Sequence, residues 1–205
     1  MVASLEEALR SIQKLNIQRC HINDIERQST VGEGETYIVE RGVYGQKLVA
    51  VKRLKMGESR TDNNKLRKRL SNLVQDLKIM HHIPLRSHPN IRNLVGYGWD
   101  IQGQTLDPFV VIDYATMGSS RSYLQEHRGR MPFSNKLIFI GDVAAGLMAL
   151  HDCGIVYGDL KLDNVLVFHS WKRPTNAIMK ICDFGHSLIL LENEHRQIWY
   201  SGTTL

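Results

Sequence analysis

Apolar residues recur at helical spacing in three stretches of the chain. Near the start, Leu5, Ala8, Leu9, Ile12 and Leu15 form a stripe beside Glu6 and Glu7, the pattern of a packing helix. Residues 65–80 place Leu66, Leu70, Leu73, Leu77 and Met80 on one face. Residues 132–151 carry Leu137, Ile138, Ile140, Val143, Ala144, Leu147 and Leu150 on a face broad enough for a buried helix, which Gly154 ends. Between the first two stretches the period changes. Residues 36–40 and 47–54 alternate as strands do, around a turn at 41–46 whose Gly42 and Gly45 tolerate positive φ. Further strands are expected at 91–99 and 109–114, and the small residues at 115–120 read as a linker. The order predicts an α+β chain in three parts: a helical extension at 1–30, a mixed lobe at 31–114 and a largely helical lobe at 115–205.

Composition narrows the class. A chain of 205 residues with 42% hydrophobic content can build one core or two small lobes sharing a cleft. Its formal charge of +5 suits an anionic ligand and falls short of a nucleic-acid tract, so no nucleic-acid partner is expected. Much of the excess is local, in Lys52, Arg53, Lys55, Arg60, Lys65, Arg67, Lys68 and Arg69, and reads mainly as solvated surface. Cys20, Cys153 and Cys182 are scattered without a CxxC pair, which argues against a disulfide framework or a zinc site and for a reducing compartment. The N-terminus lacks the basic start and apolar run of a signal peptide, and no stretch reads as long and apolar enough to cross a bilayer. The expectation is a soluble cytoplasmic or nuclear chain without a membrane partner.

Gly32-Glu33-Gly34 precedes a strand, whereas dinucleotide and P-loop motifs need a helix N-terminus for the phosphate. Alone, this glycine pair fits an ordinary hairpin turn equally well. Val49-Ala50-Val51-Lys52 then gives a β-type run ending in a lysine. Downstream, Tyr157-Gly158-Asp159-Leu160-Lys161-Leu162-Asp163-Asn164 is followed by an apolar run and by Asp183-Phe184-Gly185. An Asp, an Asn five positions on, an apolar run and then DFG is the order a phosphoryl-transfer site needs. Asp159 would accept the proton of the attacking hydroxyl, while Asn164 and Asp183 would hold Mg2+ over the phosphates.

On these residues the chain, from about residue 31 onward, resembles the eukaryotic protein kinase family. The resemblance implies a bilobal fold with a complete N-lobe of antiparallel sheet plus helix, an incomplete helical C-lobe, and ATP with Mg2+ as cofactors. It makes Gly32, Gly34 and Val39 part of the glycine-rich loop, Lys52 the phosphate-binding lysine and His88-Pro89-Asn90-Ile91 the turn after the regulatory helix. Ile112 is similar to the gatekeeper, Asp113 and Ala115 to the hinge that faces adenine, and Ala50 and Leu166 to the residues that sandwich the base. Met80, Leu94, Tyr157 and Phe184 resemble the stacked regulatory spine. Lys161 resembles the lysine that reaches the γ-phosphate in Ser/Thr kinases, which implies Ser and Thr hydroxyls of protein substrates as acceptors.

The chain departs from the family pattern at four places. Tyr37 stands at the third glycine position. Asp76 occupies the place of the helix Glu that pairs with the strand lysine and is one methylene shorter, so the pair is expected only if the helix moves inward. Tyr157-Gly158 replaces His-Arg before the catalytic Asp, which removes a grip on a phosphorylated loop. Residues 201–205 resemble the approach to an Ala-Pro-Glu segment that does not follow, so the C-lobe reads as truncated and the helix at 132–151 as partly uncovered. Two other readings stay open: an ATP-binding or interaction module without catalysis, and a small-molecule kinase, since aminoglycoside and choline kinases also place Gly-Asp in this loop.

Overall fold

A computed structural model describes residues 4–56, 63–102 and 105–190. Arg60 and the segment 201–205, both used in the sequence reading, lie outside the described residues. The chain forms two compact units, one of residues 1–81 and 93–114 and the other of 82–92 and 115–205.

The first unit is built on a five-stranded antiparallel sheet in the order β1-β2-β3-β5-β4. Its strands are β1 (Ile25–Glu33), β2 (Tyr37–Tyr44), β3 (Lys47–Leu54), β4 (Leu94–Gln102) and β5 (Thr105–Asp113), with helices α1 (Leu5–Gln13) and α2 (Asn63–His81). The expected turn at 41–46 contracts to Gly45 and Gln46, because Tyr44 pairs directly with Lys47. Gly45, at φ 61°, is the residue that needs glycine's left-handed freedom. Gly42 stays in β2, where an added Cβ would lie 3.0 Å from the Ile25 side chain. Its missing side chain makes room for a neighbour and does not serve a turn.

The segment expected to be a helical extension is part of this unit. Ser4 caps α1 by accepting the Glu7 N–H at 3.2 Å, and the buried Ala8 and Ile12 lie on the helix, which packs against α2. Residues 18–20 then run along β4: the Cys20 N–H donates to Tyr97 O at 2.8 Å and the Tyr97 N–H to Gln18 O at 3.1 Å. This close approach depends on Gly96 and Gly98, where a Cβ would come within 2.6 Å and 2.3 Å of that segment. Cys20 joins Ile25, Val49, Val51, Phe109 and Val111 in one core on that side of the sheet.

The second unit contains α3 (Ser120–Glu126), α4 (Phe133–Asp152), the two-stranded sheets β6 (Ile155–Val156) with β9 (Leu188–Ile189) and β7 (Val165–His169) with β8 (Ala177–Ile181). Residues 82–92 fall here because Asn90 and Arg92 bond to β8. The Asn90 amide donates to Met179 O at 3.0 Å, the Ile181 N–H to Asn90 O at 2.8 Å and the Arg92 N–H to Ile181 O at 3.0 Å. By length and composition α4 is apolar enough to cross a membrane, which corrects the expectation that no stretch is. Its contacts are those of a core helix. It packs against β8, and its buried Asp142 accepts the Met179 N–H at 3.0 Å and pairs with Arg173. The buried stripe is Phe139, Asp142, Gly146 and Leu150, while Phe133, Leu137, Ile140 and Met148 are exposed, so the apolar face is half used.

Candidate functional site

In the first unit, strand register decides which predicted residues share a face. Cross-strand partners point the same way and residues two apart on one strand do too. Val39 pairs with Lys52, Ala50 with Ile112 and Lys52 with Val110, so Val39, Ala50, Lys52 and Ile112 lie on one face of the sheet. Gly32 pairs with Val39 across β1 and β2, and Gly34 closes the connection by donating its N–H to Tyr37 O at 2.9 Å. Asp113 ends β5 opposite Val49.

Lys52 is buried, and so is Asp76 on α2. Their Nζ and Oδ2 atoms lie 3.3 Å apart. The shorter acid therefore reaches the lysine in this structure. Burial of both charges makes the pair demanding, since removing one member of a buried pair is costly. A second group shares the ammonium: the Tyr37 ring centroid is 4.2 Å from Lys52 Nζ.

The connection between β1 and β2 is tied down by basic side chains that the sequence reading had treated as surface charge. Lys55 Nζ lies 2.6 Å from Glu33 Oε1 and Lys65 Nζ 3.2 Å from Glu35 Oε1. These neighbours hold both carboxyls below their ordinary range, with Lys55 acting on Glu33 and Lys65 on Glu35. Arg69 is buried and donates to Glu35 O at 2.8 Å and to Lys55 O at 2.6 Å. The only sequence signal for its role is the helical phase it shares with Leu70, Leu73 and Leu77, which a charged letter hides.

In the second unit, the segment between β6 and β7 gathers Asp159, Lys161 and Asn164. Asn164 sits in a 3-10 turn, Leu162–Asn164, and its amide donates to Asp159 Oδ2 at 2.8 Å and to Asp159 O at 3.0 Å. Lys161 Nζ lies 2.9 Å from the same Oδ2. Two cationic or amide donors on one oxygen fix the plane of the buried Asp159 carboxylate. Gly158 precedes it at φ 78°, where a side chain would strain the backbone, so the glycine that replaces the usual arginine also suits the turn. Asp163, also in this turn, is exposed and held by Arg121 at 2.9 Å, which keeps its carboxyl below the usual range.

Asp183 follows β8 in the left-handed region at φ 61°, a conformation that an ordinary residue adopts at some cost. The neighbours fasten it. Cys182 donates its N–H to Asn164 O at 3.0 Å, which links the chain before Asp183 to the turn that carries Asn164. Phe184 is fully buried and meets the Tyr157 ring edge to face at 5.7 Å, and the Tyr157 hydroxyl bonds to Cys182 O. The Ser187 hydroxyl donates to Tyr157 O at 3.1 Å. The half-buried Leu166 lies on β7, along which the stretch after Ala115 runs: the Met117 N–H donates to Val167 O at 3.2 Å and the Val167 N–H to Gly118 O at 2.9 Å.

The structure thus brings the candidates together in two sets. One is Gly32, Gly34, Val39, Ala50, Lys52, Asp76, Ile112 and Asp113 in the sheet unit. The other is Ala115, Asp159, Lys161, Asn164, Leu166 and Asp183 in the helical unit. The donors Asn164 and Asp183 offer amide and carboxylate oxygen, the hard ligands that Mg2+ takes. Among the described residues no group of three or more His, Cys, Asp or Glu side chains forms a metal cage. Two protein oxygens fit an ion that takes most of its remaining ligands from phosphates and water.

A family model described as protein tyrosine and serine/threonine kinase matches residues 25–201. Probable serine/threonine-protein kinase gdt8 of Dictyostelium discoideum is 34% identical over 158 residues, which cover 77% of this chain and 11% of that protein. Probable serine/threonine-protein kinase kinX of the same organism is 27% identical over 180 residues, covering 88% of this chain and 15% of the relative. Serine/threonine-protein kinase GIN4 of Saccharomyces cerevisiae is 31% identical over 110 residues, or 54% of this chain and 9% of GIN4. The chain spans at most 15% of the length of these three relatives.

Proposed function

The chain belongs to the protein kinase family, and from that premise we propose that it transfers the γ-phosphoryl group of ATP to Ser or Thr hydroxyls of protein substrates. The observation that carries the reading is the Asp159 carboxylate, buried and fixed through Oδ2 by Asn164 at 2.8 Å and Lys161 at 2.9 Å. A base needs a set orientation before it can take a hydroxyl proton, and this one has two donors to set it.

In this reading Asp159 accepts the acceptor's proton, and Lys161 neutralises charge on the transferred group. Lys52 holds nucleotide phosphates, with Asp76 keeping its ammonium in place. Val39, Ala50 and Ile112 offer the base an apolar face of the sheet, Leu166 is read as a base-contacting residue of the helical unit, and Asp113 and Ala115 as residues that offer the base backbone hydrogen bonds. Gly32 and Gly34 let the loop backbone approach the phosphates. Asn164 and Asp183 would hold Mg2+, which when bound neutralises charge developing on the phosphate oxygens. The relatives named as Ser/Thr kinases support the choice of acceptor, as does Lys161 beside Asp159.

The intact chain is to be incubated with γ-labelled ATP, Mg2+ and a generic protein substrate. Label should appear on Ser or Thr, and Asp159→Asn should lower the rate about 1,000-fold, the scale of a lost general base. Transfer that survives the substitution removes Asp159 from that role. An ATP-binding or interaction module without turnover is the second reading, favoured by the exposed Phe133, Leu137, Ile140 and Met148 of α4, an apolar face that suits a partner. It predicts that ATP with Mg2+ raises the melting temperature while no label is transferred.

A further inference from the structure

Tyr37 stands at the head of β2, opposite Leu54 and two residues before Val39, and so faces the same side of the sheet as Lys52. Its ring centroid lies 4.2 Å from Lys52 Nζ, close enough for the π face to act as a partner of the ammonium. The connection that delivers the ring is held from several directions. Lys55 and Lys65 take the carboxylates of Glu33 and Glu35, and Arg69 holds Glu35 O. Within the strand pair, the Lys55 N–H donates to Thr36 O at 2.9 Å and the Gly34 N–H to Tyr37 O at 2.9 Å. The position of Tyr37 over the lysine is therefore supported by backbone and side-chain bonds on both sides of it.

A phosphate binding Lys52 must approach the same ammonium. With Asp76 at 3.3 Å and the ring at 4.2 Å, the ammonium already has two partners, and the ring is the weaker of them because it offers a quadrupole where Asp76 offers a full charge. We propose that Tyr37 is a gate on Lys52: its ring covers the ammonium and leaves when a triphosphate binds. It thereby weakens ligands that carry phosphates and leaves the bare nucleoside untouched. This rests on the reading of Lys52 as the phosphate-binding lysine.

The test is calorimetry on the full 205-residue chain with MgATP and, separately, with adenosine. Tyr37→Thr puts a β-branched residue that suits a strand in place of the ring; it should bind MgATP about five-fold tighter, the scale of one cation–π contact, and adenosine as the parent does. Tyr37→Phe keeps the ring and should match the parent for both ligands. Unchanged or weaker MgATP binding in Tyr37→Thr overturns the gate, as does an equal gain for adenosine, which would mark a loosened loop. A Lys52→Met control separates the two layers. If it weakens MgATP while Tyr37→Thr changes nothing, only the gate fails. If neither the parent nor any variant binds MgATP, the phosphate-binding reading fails and takes the gate with it. Should Tyr37→Thr not fold, fluorotyrosine labelling of the parent gives a second readout. The 19F signal that disappears in Tyr37→Phe should shift with MgATP and stay still with adenosine, and a signal unmoved by MgATP rejects the gate.

Discussion

Lys52 and Asp159 are both buried charged groups fixed by partners, yet the partners come from different distances along the chain. Lys52 depends on Asp76, 24 residues away on α2, and on a tyrosine from another strand. Asp159 depends on Asn164, five residues on, and on Lys161 in the same short segment. The first arrangement survives only as long as α2, against which α1 packs, stays seated on the sheet. The second is built within one loop and needs little from the rest of the unit. Long-range pairing makes the Lys52 arrangement the adjustable one, and local pairing makes the Asp159 arrangement the fixed one.

That contrast breaks most readily at Asp76. Asp76→Ala leaves a buried ammonium without its carboxylate and should lower the unfolding free energy by about 3 kcal/mol in urea titrations. A loss below about 1 kcal/mol would mean that α2 does not rely on the pair. Asp76→Glu restores the charge and should recover most of the loss. On the local side, Asn164→Ala removes the donor to Asp159 while Lys161 remains, so the expected loss is about 2 kcal/mol. A larger loss here than at Asp76 would reverse the comparison.

The smallest effect concerns the ties on the β1–β2 connection. Glu33 and Glu35 have folded-state pKa values below the usual carboxylate range because Lys55 and Lys65 sit beside them. Their contribution is therefore present above the unfolded-state pKa and is lost as pH falls through the lowered folded-state values. Glu33→Gln with Glu35→Gln should melt slightly below the parent at neutral pH and together with it in acid. A gap that persists in acid would show that the two carboxylates act by something other than charge.

How much of this was legible in the sequence follows the same division. The contacts among Asp159, Lys161 and Asn164 follow from spacing because all lie in one short segment, whereas Asp183 reaches that segment only through the pairing of β7 with β8. α2 and α4 were found to within two residues at each end, since their apolar spacing persists over several turns. β1 was missed because, after Ile25, its residues are exposed or half-exposed on both faces and show no alternation. The strand expected at 91–99 begins instead at Leu94, because Ile91 belongs to the helical unit, where it bridges to Ile181. α3, which starts at the last residue of the expected linker at 115–120, was not anticipated; it is a short helix that Ser119 caps by accepting the Ser122 N–H at 3.3 Å. Arg69 and Tyr37 were hidden for a different reason: what they do depends on groups brought near by folding, and neither letter announces it.

The account stands on the proposal that Lys52 holds nucleotide phosphates and that Asp183 would hold Mg2+. Calorimetric titration of MgATP into the intact chain, Lys52→Met, Asp183→Asn and the double variant tests it directly. Each single change should weaken binding about ten-fold, the scale of a charge-assisted contact, and the double should weaken it further. MgATP affinity left unchanged by either single substitution would contradict the account.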